Sequence, residues 1–157
     1  MDNHISKPEA SVSLRVITKE TVRAICKLSD SLSVAHKKMV ASNADSIAQA
    51  YFEEHTWFRA IYADDEPVGF TMLYDHPEEN EYFLWRLMIA GPYQGKGYGR
   101  KAIKLLIEYV RSRSGVKELG VSCGEGEGSP EGFYRKLGFE PTGEKAGDEI
   151  VLRMKLI

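Results

Sequence analysis

The sequence predicts a mixed α/β fold, in which one central, mostly antiparallel sheet of about six to seven strands carries helices on both faces. The order of segments is strand, helices, three strands, helix, strand, helix and one or two last strands, which is typical of a covered mixed sheet. Residues 82–89 are nearly all apolar, as expected for a strand buried on both faces. Residues 98–112 repeat apolar side chains at helical spacing.

The first half of the chain begins with a short strand and continues with helices. Residues 11–17 alternate between apolar and polar side chains, which indicates a strand. Thr18 is suited to cap a helix that follows at once. A second helix is expected over residues 42–54, whereas residues 31–40 fit no single pattern.

The second half combines a meander of strands with two strand–helix units. The expected strands cover residues 57–63, 67–74, 82–89, 117–123, 139–145 and 149–156. An acidic turn, residues 64–66, joins the first two of them. Besides the helix over residues 98–112, a short helix is expected to open at Ser129 and Pro130 and to end at Gly138.

Length and composition limit the class of protein. The chain has 157 residues, 43% of them hydrophobic and 28% charged, which suits one globular domain. We expect a flexible N-terminal tail over residues 1–10 and a single domain over residues 11–157. The net charge of −2 and the pI of about 6.1 argue against a nucleic-acid binder. Two cysteines, a polar N-terminus and no long apolar run predict a cytoplasmic protein that does not enter membranes.

A glycine-rich loop, residues 94–99, links the buried strand to the long helix. Backbone N–H groups at the first turn of a helix lack internal partners, so this junction favours an anion such as a phosphate. Lys96 and Arg100 add positive charge. The spacing Gly-x-Gly-x-Gly is neither the dinucleotide pattern nor a P-loop. From the glycines alone, an ordinary strand-to-helix connection is an equally good interpretation.

Two motifs carry a resemblance to a known family. Gln94-x-x-Gly97-x-Gly99 resembles the acetyl-CoA signature of the GNAT superfamily of N-acetyltransferases, and residues 132–139 resemble its closing motif, a tyrosine helix that ends in Leu-Gly-Phe. The resemblance covers residues 57–143 and is looser before them. It implies a GNAT fold and acetyl-CoA as the cosubstrate of an acyltransferase. Within the superfamily, the chain looks most like bacterial spermine/spermidine-type enzymes.

The resemblance also implies where acetyl-CoA binds. The pyrophosphate would lie on N–H groups of residues 94–99, and the pantetheine arm would extend the central strand through Leu87 and Ile89. A backbone N–H near Ile89 would polarise the thioester carbonyl. The residues that the resemblance assigns to the cosubstrate are Leu87, Met88, Ile89, Gln94, Gly95, Lys96, Gly97, Tyr98, Gly99 and Arg100.

Two catalytic residues follow from the resemblance, which implies direct attack by the amine without an acyl-enzyme. Tyr134 would protonate the leaving thiolate, because a positioned phenol can act as a general acid; the alternative is a core aromatic. Phe83 stands where some members carry a glutamate base, so Glu81 could act through water instead or be a solvated strand end. Glu127 replaces an asparagine that contacts the CoA arm in many members.

The amine acceptor is expected to be a small molecule, with a polyamine as the best guess. Asp75, Glu78, Glu79 and Glu81 could form an acidic rim that attracts a polycation, or simply a solvated turn. Trp85 and Arg86 should alternate in direction along the strand, and Trp85 could line the cleft or join the core. Alternative acceptors are an aminoglycoside-like drug, an amino acid or a protein amine. A further alternative is that the protein is a non-catalytic CoA sensor.

The sequence argues against several other kinds of site and partner. The four histidines show no metal-ligand spacing, so no metal is predicted. Residues 120–124 fit Gly-x-Ser-x-Gly, but no helix starts after Ser122 and no histidine follows, which argues against a serine hydrolase. No nucleic acid and no membrane are expected as partners, and exposed edge strands near the C-terminus would allow a homodimer.

Overall fold

The computed structural model describes residues 8–157 and contains one seven-stranded sheet in the order β1-β2-β3-β4-β5-β7-β6. Neighbouring strands are antiparallel except β4 and β5, which are parallel. The strands are β1 (Val12–Arg15), β2 (Thr56–Ala63), β3 (Glu66–His76), β4 (Glu81–Ile89), β5 (Glu118–Cys123), β6 (Glu140–Ala146) and β7 (Glu149–Lys155). The mixed, mostly antiparallel sheet confirms the predicted fold class.

Five α-helices cover the sheet. They are α1 (Val22–Lys27), α2 (Val34–Met39), α3 (Asn43–Phe52), α4 (Tyr98–Arg111) and α5 (Glu131–Lys136). The ambiguous residues 31–40 therefore contain a helix, which Ser33 caps by accepting a hydrogen bond from the His36 N–H. The prediction that Thr18 caps α1 is wrong, because Thr21 occupies that position and makes no side-chain cap bond. Among residues 8–157 no helix is long and apolar enough to cross a bilayer.

The two faces of the sheet have separate cores. On one face, helices α4 and α5 pack on apolar residues of β4, β5 and β7, with Leu106, Val121 and Leu152 fully buried. On the other face, α1 and α3 pack on β2, β3 and β4, with Ile25 and Phe70 fully buried. Strand β4 contributes to both cores, which explains its nearly continuous apolar sequence.

Part of the predicted tail is packed against the domain. Residues 1–7 lie outside the described residues, so the prediction of flexibility is not tested there. The structure describes residues 8–10 of this tail. Glu9 forms an ion pair with Lys101 of α4 at 3.1 Å, and Ala10 packs on an apolar cluster that includes Ala102. The domain contacts therefore begin slightly before residue 11.

Asp75 has a structural partner on helix α4. Its carboxylate accepts hydrogen bonds from the Tyr109 hydroxyl at 2.7 Å and from Arg113 Nε at 3.0 Å, and its side chain is only 9% exposed. Burial and then the bond to Asp75 raise the pKa of Tyr109 to about 12, which keeps the phenol a donor. Arg113 therefore already neutralises Asp75, and the membership of Asp75 in the acceptor rim stays a prediction.

We expect the Asp75→Ala variant to lose about 1–3 kcal/mol of unfolding free energy, because removing this carboxylate leaves the hydroxyl of Tyr109 and the guanidinium of Arg113 without their partner. Urea denaturation followed by circular dichroism measures the effect. Glu78→Ala, three residues away and exposed, is the matched control and should change the free energy by less than about 0.5 kcal/mol. Equal stability of the two variants would contradict a structural role for Asp75.

Candidate active site

Strands β4 and β5 pair over two residue pairs and then separate. The pairs are Phe83–Gly120 and Leu84–Val121. A side chain on Gly120 would place its Cβ 2.7 Å from the Phe83 ring, so glycine allows this ring to cover β5 at the point of separation. Beyond it, no strand of the described residues pairs with the second half of β4 on this side. The gap is a cleft of about 740 Å³.

The wall that β4 forms presents backbone groups to the cleft. The Ala90 N–H donates to Val68 O of β3 at 2.8 Å, so it points away from the cleft. Because successive backbone groups of a strand point to opposite sides, the N–H groups of Leu87 and Ile89 face the cleft. The Gln94 side chain donates to Ile89 O at 2.9 Å and joins this wall to the glycine-rich loop. The cleft can therefore hold an extended chain with amide groups.

The glycine-rich loop closes one end of the cleft at the N-terminus of α4. Gly95 and Gly97 have φ of +78° and +81°, a conformation that favours glycine, and Gly97 precedes the first helical residue. The N–H groups of Tyr98, Gly99 and Arg100 belong to the first helical turn, where the backbone supplies no acceptor. This arrangement suits an anionic group such as a phosphate.

Tyr134 of α5 lies in the opposite wall of the cleft. The residue is 5% exposed, and its hydroxyl has no hydrogen-bond partner among residues 8–157. Burial raises the pKa of Tyr134, and the nearby Cys123 and Glu149 raise it further. The phenol therefore stays protonated at working pH, as a proton donor requires. Burial also raises the pKa of the Cys123 thiol, which argues against a thiolate nucleophile.

Helix α2 and the loop after β5 form the remaining wall. Gly124 and Gly128 come so close to α2 that a Cβ would lie 2.9 Å from Met39 Sδ and 3.1 Å from the backbone of Ala35. The glycines of this loop thus allow α2 to pack against it. The residues of α2 and the segment after it that line the cleft are His36, Lys37, Lys38, Met39, Val40 and Ala41. The sequence did not predict these cleft residues, because residues 31–40 fit no single pattern.

A second cavity, of about 550 Å³, adjoins the cleft. Trp85 and Ser122 line both spaces. We call the part that combines aromatic rings with carboxylates the acidic pocket; its residues are Glu53, Tyr74, Glu81, Phe83 and Trp85. Burial raises the pKa of Tyr74, and the carboxylates of Glu79, Glu81 and Glu53 raise it further, which indicates a negative local potential.

The predicted acceptor and catalytic residues are thus only partly brought together. Glu81 lines the acidic pocket, whereas Tyr134 lines the cleft, so the two predicted catalytic residues occupy different cavities. Glu78 and Glu79 are exposed beside His76. Trp85 is half-buried in both cavities. The sequence did not predict Glu53 as a site residue, because it follows α3 and lines the same cavity as Glu81 only in the tertiary fold.

A bulge in β4 changes the direction of two side chains. Met72 pairs with Arg86 and Leu73 with Leu84, so Trp85 is the extra residue. The predicted alternation of Trp85 and Arg86 is therefore wrong: Trp85 packs on the core of α1 and α3, and Arg86 donates to Gln49 of α3 at 3.1 Å. Arg86 lines the cleft, and its buried Nε has no hydrogen-bond partner among the described residues.

Glu149, the first residue of β7, is a further cleft residue that the sequence did not reveal. It lines the same cleft as Tyr134 and Arg86. The Ser122 hydroxyl donates to its carboxylate at 3.4 Å. No local motif marks Glu149, since its place depends on the pairing of β7 with β5.

One group of side chains could be considered for a metal. Within the described part of the chain, His55, His76 and Glu78 have ligand atoms within 4.8 Å of one another. The two imidazole rings are stacked at 3.7 Å with an angle of 23° between their planes. Nitrogen lone pairs lie in the ring planes, so those of stacked rings cannot converge on one ion without rearrangement. The absence of a metal stays a prediction.

Bacterial N-acetyltransferases resemble this chain over most of its length. The chain is 25% identical over 142 residues to the spermine/spermidine N(1)-acetyltransferase of Bacillus subtilis, covering 85% of this chain and 91% of the relative. It is 26% identical over 128 residues to a peptidyl-lysine N-acetyltransferase of Escherichia coli, covering 82% and 76% of the two chains. These two relatives act on different amines, so they leave the acceptor open.

A solved structure with a similar fold and a match to a protein family complete the comparison. The PaiA N-acetyltransferase of Thermoplasma acidophilum, solved in complex with coenzyme A, superposes with a TM-score of 0.71 at 17% identity, over 92% of this chain and 99% of that one. At this identity the likeness supports the fold alone. Residues 26–139, well over half of the chain, match the acetyltransferase (GNAT) family. The chain therefore belongs to this family and is an N-acetyltransferase.

Proposed function

We propose that this enzyme transfers the acetyl group of acetyl-CoA to a primary amine of a polyamine such as spermidine, by direct attack of the amine on the thioester. The observation that carries the proposal is the junction of the β4–β5 cleft with the acidic pocket at Trp85 and Ser122. A long, flexible polycation can place one amine in the cleft while a distant ammonium group occupies the acidic pocket. The Bacillus subtilis relative, a spermine/spermidine N(1)-acetyltransferase, supports the same class of acceptor.

The cleft residues fit acetyl-CoA. The amide groups of the pantetheine arm match the free N–H groups of Leu87 and Ile89, and its pyrophosphate matches the N-terminus of α4. Lys96 and Arg100 are exposed beside this terminus and add positive charge. The Tyr134 hydroxyl is placed to give its proton to the departing CoA thiolate. These residues bind and orient the thioester.

The acidic pocket fits an ammonium group for two reasons. Carboxylates of Glu53 and Glu81 supply negative charge, and among residues 8–157 neither forms an ion pair. The rings of Tyr74, Phe83 and Trp85 supply aromatic faces, which attract cations. Glu118 borders the same cavity, but Arg153 pairs with it at 3.0 Å.

One observation favours a second acceptor class. Arg86 lines the cleft, and its buried Nε lacks a partner among the described residues. A guanidinium with a free donor suits a carboxylate, as in the acceptor of an amino-acid acetyltransferase. The proposal of a polyamine and this second candidate predict different effects of changing Arg86.

We expect the Tyr134→Phe variant to lose about 100-fold or more in kcat, because no other phenol of the described chain lines the cleft to protonate the thiolate. Thiol release from acetyl-CoA in the presence of spermidine measures kcat. The melting temperature with and without CoA should show an unchanged shift, since the hydroxyl is not needed for binding. Because the pKa of Tyr134 is raised, wild-type kcat should not fall between pH 8 and pH 10. A fully active variant would contradict the acid role.

We expect the double variant Glu53→Gln/Glu81→Gln to raise KM for spermidine about fivefold to tenfold, because each lost attraction to an ammonium contributes at most about 1 kcal/mol near the surface. The KM for acetyl-CoA should stay unchanged, and added salt should weaken spermidine binding to the wild type more than to the variant. Glu140→Gln, an exposed carboxylate on β6, is the control of equal charge change. An unchanged KM for spermidine in the double variant would remove the acidic pocket from the acceptor site.

The Arg86→Gln variant separates the two acceptor classes. For spermidine we expect KM not to rise, because a polyamine has no anionic group for the guanidinium to bind. Steady-state thiol release is measured with spermine, spermidine, diamines and amino acids. Turnover of an amino acid by the wild type, with a KM that rises about tenfold in the variant, would favour the second candidate instead.

A further inference from the structure

The cleft has chemically different groups on the two faces of the sheet. Cys123 of β5 pairs with Ile150 of β7, and both pack on the core beneath α4 and α5. Ser122 pairs with Val151, so these two residues point to the other face. Glu149 lies two residues before Val151 on the same strand and therefore shares this face. Its hydrogen bond from Ser122 agrees with that direction.

Tyr134 and Glu149 thus approach the cleft from opposite faces. Tyr134 belongs to α5, which covers the first face and joins the core there. Glu149 stands on the second face, where Arg86 also lies. The acidic pocket opens on this second face through Ser122 and Trp85, so an amine that enters from the pocket meets Glu149, whereas the leaving thiol meets Tyr134.

Glu149 also has no ion-pair partner in contact, although its negative charge partly offsets the burial that lowers the pKa of Arg86. Among residues 8–157 it forms no ion pair, unlike Asp75 and Glu118, which pair with Arg113 and Arg153. Ser122 makes a long hydrogen bond of 3.4 Å with the Glu149 carboxylate and leaves most of its acceptor capacity free. The negative charge of Glu149 contributes to raising the pKa of both Tyr134 and Cys123, which agrees with its place in the cleft that these two residues also line.

We propose that Glu149 is the general base of this enzyme, accepting the proton of the attacking amine directly or through one water. The inference rests on the proposed function. The amine nitrogen forms the C–N bond with the thioester carbonyl carbon, and its surplus proton passes to the Glu149 carboxylate. The C–S bond breaks, and the thiolate takes the Tyr134 proton. Solvent then removes the proton from Glu149 and restores that of Tyr134, so the sum is an amide and a free thiol.

This assignment replaces Glu81, the base that the sequence suggested. Glu81 is exposed at the first residue of β4 and lines the acidic pocket, not the cleft. Phe83 belongs to the β4–β5 pair that comes just before the last one, Leu84–Val121, and has no ionisable group. The carboxylate that β4 lacks is therefore supplied by β7, while Glu81 keeps a role in attracting the distant ammonium.

The test compares Glu149→Gln, Glu149→Asp and the control Glu140→Gln in thiol release with spermidine from pH 6 to pH 10. We expect Glu149→Gln to lose about 100-fold in kcat, with KM for acetyl-CoA unchanged and rate rising steadily with pH as free amine accumulates. Glu149→Asp should recover part of the rate, and Glu140→Gln should match the wild type. Equal melting temperatures of the four proteins would exclude a folding defect.

A second measurement does not depend on turnover. In protein labelled with ¹³C at glutamate carboxyl carbons, the Glu149 signal is identified by its loss in Glu149→Gln. Adding spermidine to the CoA-bound wild type should shift this signal. Wild-type kcat and pH profile in Glu149→Gln, or an unmoved signal, would overturn the base assignment alone. Absence of thiol release by the wild type with every polyamine would instead overturn the proposed function, and the inference with it.

Discussion

The separation of β4 from β5 is the constraint on which the rest of the site depends. A strand in the middle of a sheet normally pairs on both sides, and unpaired backbone groups in an apolar groove need another partner. Here pairing stops after Leu84 and Val121, so the N–H groups of Leu87 and Ile89 are left for an extended ligand. The same separation lets α5 place Tyr134 in the gap and directs the end of β4 toward the N-terminus of α4.

The separation also gives the cleft two chemically distinct sides. Side chains of a strand alternate between faces, so neighbouring residues of β5 and β7 send Cys123 to one face and Ser122 to the other. A proton donor and a carboxylate can then flank one reacting carbon without pairing with each other. The bulge at Trp85 adds to this division, because it brings Trp85 and Arg86 to the acceptor side together. Under the proposed mechanism, the sheet itself thus separates the leaving group from the nucleophile.

The fold could be predicted from sequence, and residues could be proposed for the cosubstrate, because the signals for both are local. The buried strand, the glycine-rich loop and the tyrosine helix are each contained within a few consecutive residues. Glu149, Glu53 and the structural role of Asp75 could not be predicted, since each depends on a partner far along the chain: Ser122, Glu81 and Arg113. The acidic run at residues 75–81 does not stay together in the structure, because neighbours in sequence diverge once β3 and β4 pair.

Under the proposed function, the charged residues around the cleft and the acidic pocket suit the two protonation states that a polyamine's amines must adopt. An amine attacks only when unprotonated, and a nearby positive charge disfavours its ammonium form. Arg86 lies on the acceptor side of the cleft, so its guanidinium favours the neutral, nucleophilic form of the amine that reaches the thioester. The carboxylates of Glu53 and Glu81 favour the charged form of a distant amine in the acidic pocket. Under the proposed function, a polyamine carries both groups in one molecule: its neutral amine lies in the cleft, where Arg86 and the proposed base Glu149 both lie, and its charged amine lies in the acidic pocket.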